Sequence, residues 1–241
     1  MDFDINLAEQ CREDEFYFRL YQWEPYCLSL GANQNNVLVN ESALKCAGID
    51  IIKRPSGGKA ILHSEELTYS FICHTNTIFT PREIYRQVNE AILLGLSYYD
   101  ARLSSAEMES QEHDFRQAFD LESNFACFGS AAKNELKFAH KKIVGSAQRK
   151  MGNVILQHGS ILCGSFHKRI TEFLYYDAKT IELIKNDLEG KTTEIETILN
   201  EPVDYSRLES SLSRGFEKYF SMQFQAVTTS CFLDKFHLNE A

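Results

Sequence analysis

The residues able to do chemistry gather in a few short stretches of the chain. The densest runs from Lys53 to Phe71 and reads KRPSGGKAILHSEELTYSF. Gly57 and Gly58 let the backbone bend and approach a ligand where a Cβ would collide. The expected device is a pair of strands whose glycine turn, with Ser56 before it, holds a small molecule, with Arg54 and Lys59 at its edge. Ser56 to Lys59 does not make a phosphate loop, because the P-loop spacing is absent and a strand follows. A second candidate is Cys127, between Phe125 and Phe128. A thiol becomes a nucleophile when it ionises, and positive charge from Lys142 and its neighbours would lower its pKa. A packed core thiol is the other reading, and residue types alone leave both open. His63 and His158 fall on strand-like runs, where a histidine is more often structural. A Cys127–His158 dyad is a further possibility. Cys73-His74 and Cys163 with His167 lack the additional ligands that a metal needs.

Local patterning says which elements would position these groups. Residues near Asp50–Lys53, Lys59–His63 and Leu67–Cys73 read as strands, as does Tyr26–Gly31. The start of the chain reads as a short helix passing into a strand, and Ser42–Ala47 as a helical turn. Thr80, Pro81 and Glu83 form a helix start with a capping box. Ile84, Val88, Ala91, Ile92 and Gly95 then recur at helical spacing, predicting a core helix to Tyr98. Ala101–Ser123 reads as a mobile loop or solvated helix. Glu135–Phe138 and Lys142–Ala147 read as strands joined at His140-Lys141, followed by a strand over Val154–Cys163. Helices are expected over Ala178–Leu188 and Thr192–Leu199. A final helix carries Leu208, Leu212, Phe216 and Phe220, with Ser206 and Glu209 as its capping box, and Met222–Thr228 is expected as a last strand. Strands early and helices late indicate an α+β fold.

Bulk properties narrow the classes. With 241 residues and 44% hydrophobic content, residues 1–241 are expected to form a single domain. No apolar run approaches bilayer-spanning length. The acidic N-terminus lacks the pattern of a secretory signal, so a cytoplasmic protein with no membrane partner is expected. The seven cysteines include no CxxC pair, which argues against a disulfide framework and a structural zinc site. A net charge of −9 disfavours nucleic acid as a partner. Yet Lys133, Lys137, Lys141, Lys142, Arg149 and Lys150 lie together, against Glu135 alone, after an acidic stretch from Glu107 to Glu122. This run is either a solvated hairpin surface or a dock for an acidic carrier protein.

Three blocks, in order, resemble the signatures of the lipoate-protein ligase, octanoyltransferase and biotin-ligase superfamily. They are Leu28–Gln34 after Trp23 and Pro25, Arg54–His63 with Glu66–Ser70, and Lys142–Gln148 with Ile155–Leu162. The resemblance spans Asn6 to Gly164. It implies a mixed, largely antiparallel sheet flanked by helices. It implies a pocket bounded by Arg54, Ser56, Gly57, Gly58, Lys59, His63, Tyr69, Gly145, Ser146, Gln148, His158 and Gly159, with Ile61, Leu67 and Tyr69 packing an acyl chain. One octanoyltransferase subclass carries a Cys-Phe pair just ahead of the lysine block, and Cys127-Phe128 matches it. There the cysteine accepts the acyl group, and Lys142 matches the family's required lysine. Ligase members often have a third glycine where this chain has Lys59, and commonly carry a C-terminal domain for which this chain has little room. The resemblance thus implies octanoyl transfer from octanoyl-acyl carrier protein, through acyl-Cys127, to a lysine of a lipoyl domain or of the glycine-cleavage carrier protein. No cofactor is expected for that reaction. An ATP-dependent lipoate-protein ligase, which would need ATP and Mg, is the nearest competing activity. A lipoyl amidotransferase and a non-catalytic lipoyl- or acyl-binding subunit are also compatible with the resemblance.

Overall fold

The computed structural model describes residues 2–75, 79–108 and 135–227. Two sheets meet at the centre. The larger has strand order β1-β5-β9-β8-β7-β6, with β1 (Phe16–Tyr21), β5 (Glu66–His74), β6 (Glu107–Met108), β7 (Leu136–Phe138), β8 (Lys141–Met151) and β9 (Val154–Leu162). Every neighbouring pair in it is antiparallel. The smaller has order β3-β2-β4, from β2 (Cys27–Leu30), β3 (Asp50–Lys53) and β4 (Ile61–His63). Its β2–β3 pair is parallel and its β2–β4 pair antiparallel. The fold is α+β, with a mixed, largely antiparallel strand set flanked by helices.

The central strands are buried on both faces, but the two faces differ in chemistry. Alternation along β5 sends Leu67, Tyr69, Phe71 and Cys73 into one core,. There they meet helix α3 (Pro81–Tyr99) and helix α6 (Tyr205–Phe220). The intervening Glu66, Thr68 and Ser70 face the other way and are also buried. That second face is closed by the small sheet and by helix α1 (Asp2–Gln10), whose Leu7 and Ala8 pack on Ile72 and Leu156. Helix α2 (Glu41–Cys46) and helix α4 (Ala178–Lys191) back the small sheet.

Two glycines set the α3–α6 crossing. A Cβ on Gly95 would lie 2.7 Å from the Leu212 Cα, and one on Gly215 would lie 2.5 Å from the Gly95 Cα. Gly159 on β9 is as constrained, since its Cβ would lie 2.3 Å from the Gly145 carbonyl oxygen and 2.8 Å from the Tyr69 ring. Gly159→Ala is therefore expected to cost about 1–3 kcal/mol by overpacking. Urea denaturation of the variant checks this, and an unchanged midpoint would show that the sheet gives way freely.

Several elements depart from the sequence reading for identifiable reasons. The capping box of α3 forms as expected, with Thr80 and Glu83 each bonding the other's backbone. Helix α6 starts earlier than expected, because Asp204 rather than Ser206 accepts from the Arg207 N–H. The stretch from Thr192 does not begin as helix. Thr192 bridges Lys142, and the Thr193 N–H donates to the Lys142 carbonyl; helix α5 starts only at Ile195 and ends at Leu199. Residues 222–227 form no strand; Phe224 instead stacks on Phe18. The start of the expected Ala101–Ser123 loop is ordered as a 3-10 turn (Ala101–Ser105) and then β6, which pairs with β7. The β7–β8 turn sits at Ala139-His140, both at positive φ (46° and 66°), as a tight two-residue hairpin demands. No helix among the described residues is long and apolar enough to cross a membrane.

Candidate functional site

The glycine turn is tied down from below by Arg54. Its guanidinium is buried. Nη1 donates to the Ser29 carbonyl at 2.9 Å, and Nη2 donates to the Lys59 carbonyl at 2.6 Å and the Gly57 carbonyl at 3.2 Å. Gly31, at the end of β2, lies under the turn: a Cβ there would come within 2.0 Å of the Gly58 carbonyl oxygen. Gly58 has φ +97°, a backbone state that L side chains rarely adopt. From above, Arg149 donates to the Pro55 carbonyl at 2.5 Å. The turn is a fixed cradle joining the small sheet to β8. Lys59, 9% exposed, lies within it.

His158 projects from β9 toward this cradle. Its Nε2 lies 2.7 Å from the Ser56 Oγ. Burial, and then the Arg54 charge, push its pKa down to about 4, so the ring is neutral at pH 7. On the same face, where His158 lies opposite Ser70 in the β5–β9 register, Asp4 reaches in from α1. It accepts from Arg19 and from the Ser70 hydroxyl, each at 2.8 Å.

A second buried group stands between the sheets. His63 Nδ1 lies 2.7 Å from Glu66 Oε1, which also accepts from Thr68 at 2.6 Å and Ser160 at 2.7 Å. Trp23, from the β1–β2 connection, stacks on the His63 ring at 4.7 Å with 16° between planes, and its indole N–H donates to Thr68 at 2.9 Å. Burial alone would raise the Glu66 carboxyl. The charge that His63 carries when protonated, and the hydrogen bonds from His63, Thr68 and Ser160, more than offset that and hold it below the usual range.

Lys142 sits at the start of β8. Its ammonium lies 2.8 Å from Glu135 Oε2, with the two side chains only 4% and 5% exposed. The Glu135 charge is felt across the core. Burial pushes the Tyr69 hydroxyl up to about 12 and the Tyr85 hydroxyl well above its ordinary value, with Glu135 adding to both.

The structure thus brings Arg54, Ser56, Gly57, Gly58, Lys59 and His158 together, with His63 on the same face. It separates Tyr69, Ser146 and Gln148, which face α3. There the Tyr69 hydroxyl donates to Ser146 Oγ at 2.7 Å, and Ser146 donates to Asn89 at 3.2 Å. Gln148 donates to the Pro81 carbonyl at 2.9 Å and to Gln157 at 3.2 Å. Gly145, paired with Ser160, faces the cradle side, while Gly159 lies under the Tyr69 ring. Ile61, Leu67 and Tyr69 do not line one cavity: Ile61 packs in the small-sheet core, and the other two pack against the helices. Cys127 and Phe128 lie outside the described residues, as does Lys133.

Four thiols among the described residues are buried. Burial raises Cys11 to about 11, and Cys27, Cys73 and Cys163 each to about 12. Such thiols are not ionised near neutral pH. Sequence reasoning did not single out as candidates Trp23, Glu66, Ser160, Glu135 and Asp4, which the structure places in polar contacts around these groups. A visible signal existed for Glu66: polar residues alternating with large apolar ones, three positions after a histidine.

The family profile described as "Lipoyl protein ligase A/B catalytic domain" matches residues 1–217. Among curated proteins, the octanoyltransferase LipM of Lysinibacillus sphaericus is 32% identical over 219 residues, covering 88% of this chain and 78% of that protein. The octanoyltransferase LipM of Bacillus subtilis is 31% identical, covering 88% of this chain and 77% of that protein. Among solved structures, a bi-partite lipoate protein ligase from Thermoplasma acidophilum superposes with a TM-score of 0.70 at 18% identity, over 95% of this chain and 84% of that one. A lipoate-protein ligase A bound with ATP matches with the same TM-score and identity, over 94% and 83%. At that identity the superpositions speak for the fold.

Proposed function

Because the chain belongs to the lipoyl protein ligase A/B catalytic domain family, we propose that it is an octanoyltransferase that modifies a lysine of lipoyl-domain proteins. The observation that carries this is the match, along most of both chains, to proteins named octanoyltransferase. The donor is octanoyl-acyl carrier protein and the nucleophile is Cys127. The Cys127 thiolate attacks the donor's thioester carbonyl, the carrier's thiol leaves, and the enzyme holds the octanoyl group as a new thioester. The acceptor lysine then takes the acyl group as an amide. A thioester is already activated, so the route uses neither ATP nor a metal ion. Lys142, fixed by Glu135, supplies the positive charge that stabilises the oxyanion formed in each step. The neutral His158 and Ser56 hold polar groups at the cradle, and Arg54 keeps the glycine turn in place beneath them. The glycine-cleavage carrier protein is a second acceptor of the same chemistry.

Incubation with octanoyl-acyl carrier protein, followed by intact mass, tests this. The protein is expected to gain one octanoyl group, and Cys127→Ala is expected to abolish the gain. Release of pyrophosphate from ATP in the presence of lipoate, with no acyl-enzyme formed, would show an adenylating ligase instead. Retention of ligand with neither reaction would mark a binding subunit.

A further inference from the structure

We propose that His63, oriented by Glu66, takes the proton that the acceptor amine sheds as the amide forms. This rests on the acyl-transfer reading above and assigns the base of its second step. Glu66 Oε1 accepts hydrogen bonds from three sides, namely His63 Nδ1, Thr68 and Ser160. An ionised carboxylate can only accept, so the His63 hydrogen lies on Nδ1. In the neutral form of the ring the lone pair is then on Nε2, and that atom is buried with no hydrogen-bond partner among the described residues. Buried polar atoms without partners are few in folded proteins, and an unsatisfied one marks a place where a partner is supplied by something else.

The ring is held in one orientation. Trp23 stacks flat on it, and the bond to Glu66 fixes it in the way a carboxylate holds an imidazole base in one tautomer. Trp23 is itself only partly buried, so His63 lies one aromatic ring below the surface. His158, a second histidine on this face, is less available to take a proton. Its Nε2 is already engaged by Ser56, and burial beside Arg54 lowers its proton affinity.

The step balances. The neutral amine nitrogen bonds to the thioester carbonyl carbon. The C–S bond breaks and the sulfur leaves as thiolate. The proton lost from nitrogen goes to His63 Nε2, and from there to solvent or to the thiolate. Glu66 touches no reacting atom and acts as a positioning residue.

The test separates the two half-reactions. Full-length protein is loaded from octanoyl-acyl carrier protein, freed of donor, and mixed with an unmodified lipoyl domain, and octanoyl mass is followed on each partner. His63→Asn keeps a donor for Glu66 but lacks the far ring nitrogen. It is expected to load within about threefold of wild type yet transfer about a hundredfold more slowly. His63→Ala is expected to regain transfer when imidazole is added. Emission from Trp23, the single tryptophan of the chain, reports whether the surroundings of residue 63 stay folded in each variant. Wild-type transfer by His63→Asn, equal slowing of both half-reactions, or no imidazole rescue of His63→Ala would each overturn the assignment. If the wild-type protein never takes up octanoyl, the acyl-transfer reading itself fails, and this assignment falls with it.

Discussion

Replacing Arg54 with methionine is expected to destabilise the protein by about 3 kcal/mol or more and to remove octanoyl transfer. The side chain is one of the largest fully buried in the structure, and its donors reach the carbonyls of Ser29, Gly57 and Lys59. Methionine fills much of the volume but donates nothing. The Ser29 and Lys59 carbonyls, whose bonds to Arg54 are buried, each cost about 1–3 kcal/mol when left without a donor. For a chain of this size that corresponds to a fall in Tm of about 6–12 °C. Arg54→Lys discriminates between charge and geometry. A lysine keeps the charge but cannot fork to β2 and the glycine turn at once, so it too is expected to melt early and to transfer slowly. Thermal unfolding followed by the acyl-loading assay gives both readouts. A methionine variant that melts with wild type but fails to load would reassign Arg54 from holding the turn to contacting the acyl donor.

This placement of Arg54 shows what the sequence carried and what it did not. Thr80, Pro81 and Glu83 announced the start of α3 because a capping box is a local device, complete within one turn. Strand β9 was legible for a similar reason, since apolar runs at 154–156 and 161–163 mark it within one short stretch of sequence. The close α3–α6 crossing was not legible: Gly95 and Gly215 matter only because they meet, and nothing within either helix names the other. The site was legible as a set of motifs but not as two faces. Adjacent strand residues point oppositely, so the Ser146 side chain cannot reach the face on which Gly145 opens. Reading the motif as one unit placed Tyr69, Ser146 and Gln148 beside His158, whereas pleating turns them toward Asn89 and Gln157. The period-2 alternation needed to see this was present in Glu66 to Cys73. The His63–Glu66 group was hidden for a different reason. Its partners come from β9 and from the β1–β2 connection, and only the assembled sheets bring Ser160 and Trp23 to it.

Lys142 offers the sharpest separation of structure from chemistry. Lys142→Met is expected to lower octanoyl transfer by about 10²–10³-fold, the loss typical when one oxyanion-stabilising donor is removed. It is also expected to lower stability, because Glu135 is left buried without its ammonium; breaking one side of such a pair costs about 3–5 kcal/mol. The single variant therefore confounds two effects. Adding Glu135→Gln resolves them. The double variant no longer buries a carboxylate that has lost the Lys142 ammonium, and replacement of a buried ion pair by uncharged groups is often close to neutral. Its urea midpoint is expected to return most of the way toward wild type. Its transfer rate is not, because the charge proposed to stabilise the oxyanion is still missing. Glu135→Gln alone should keep the ammonium, and with it a larger share of activity than Lys142→Met retains. Should the double variant recover stability and transfer together, Lys142 would be a structural partner of Glu135 alone, and the charge that stabilises the oxyanion would have to come from another side chain.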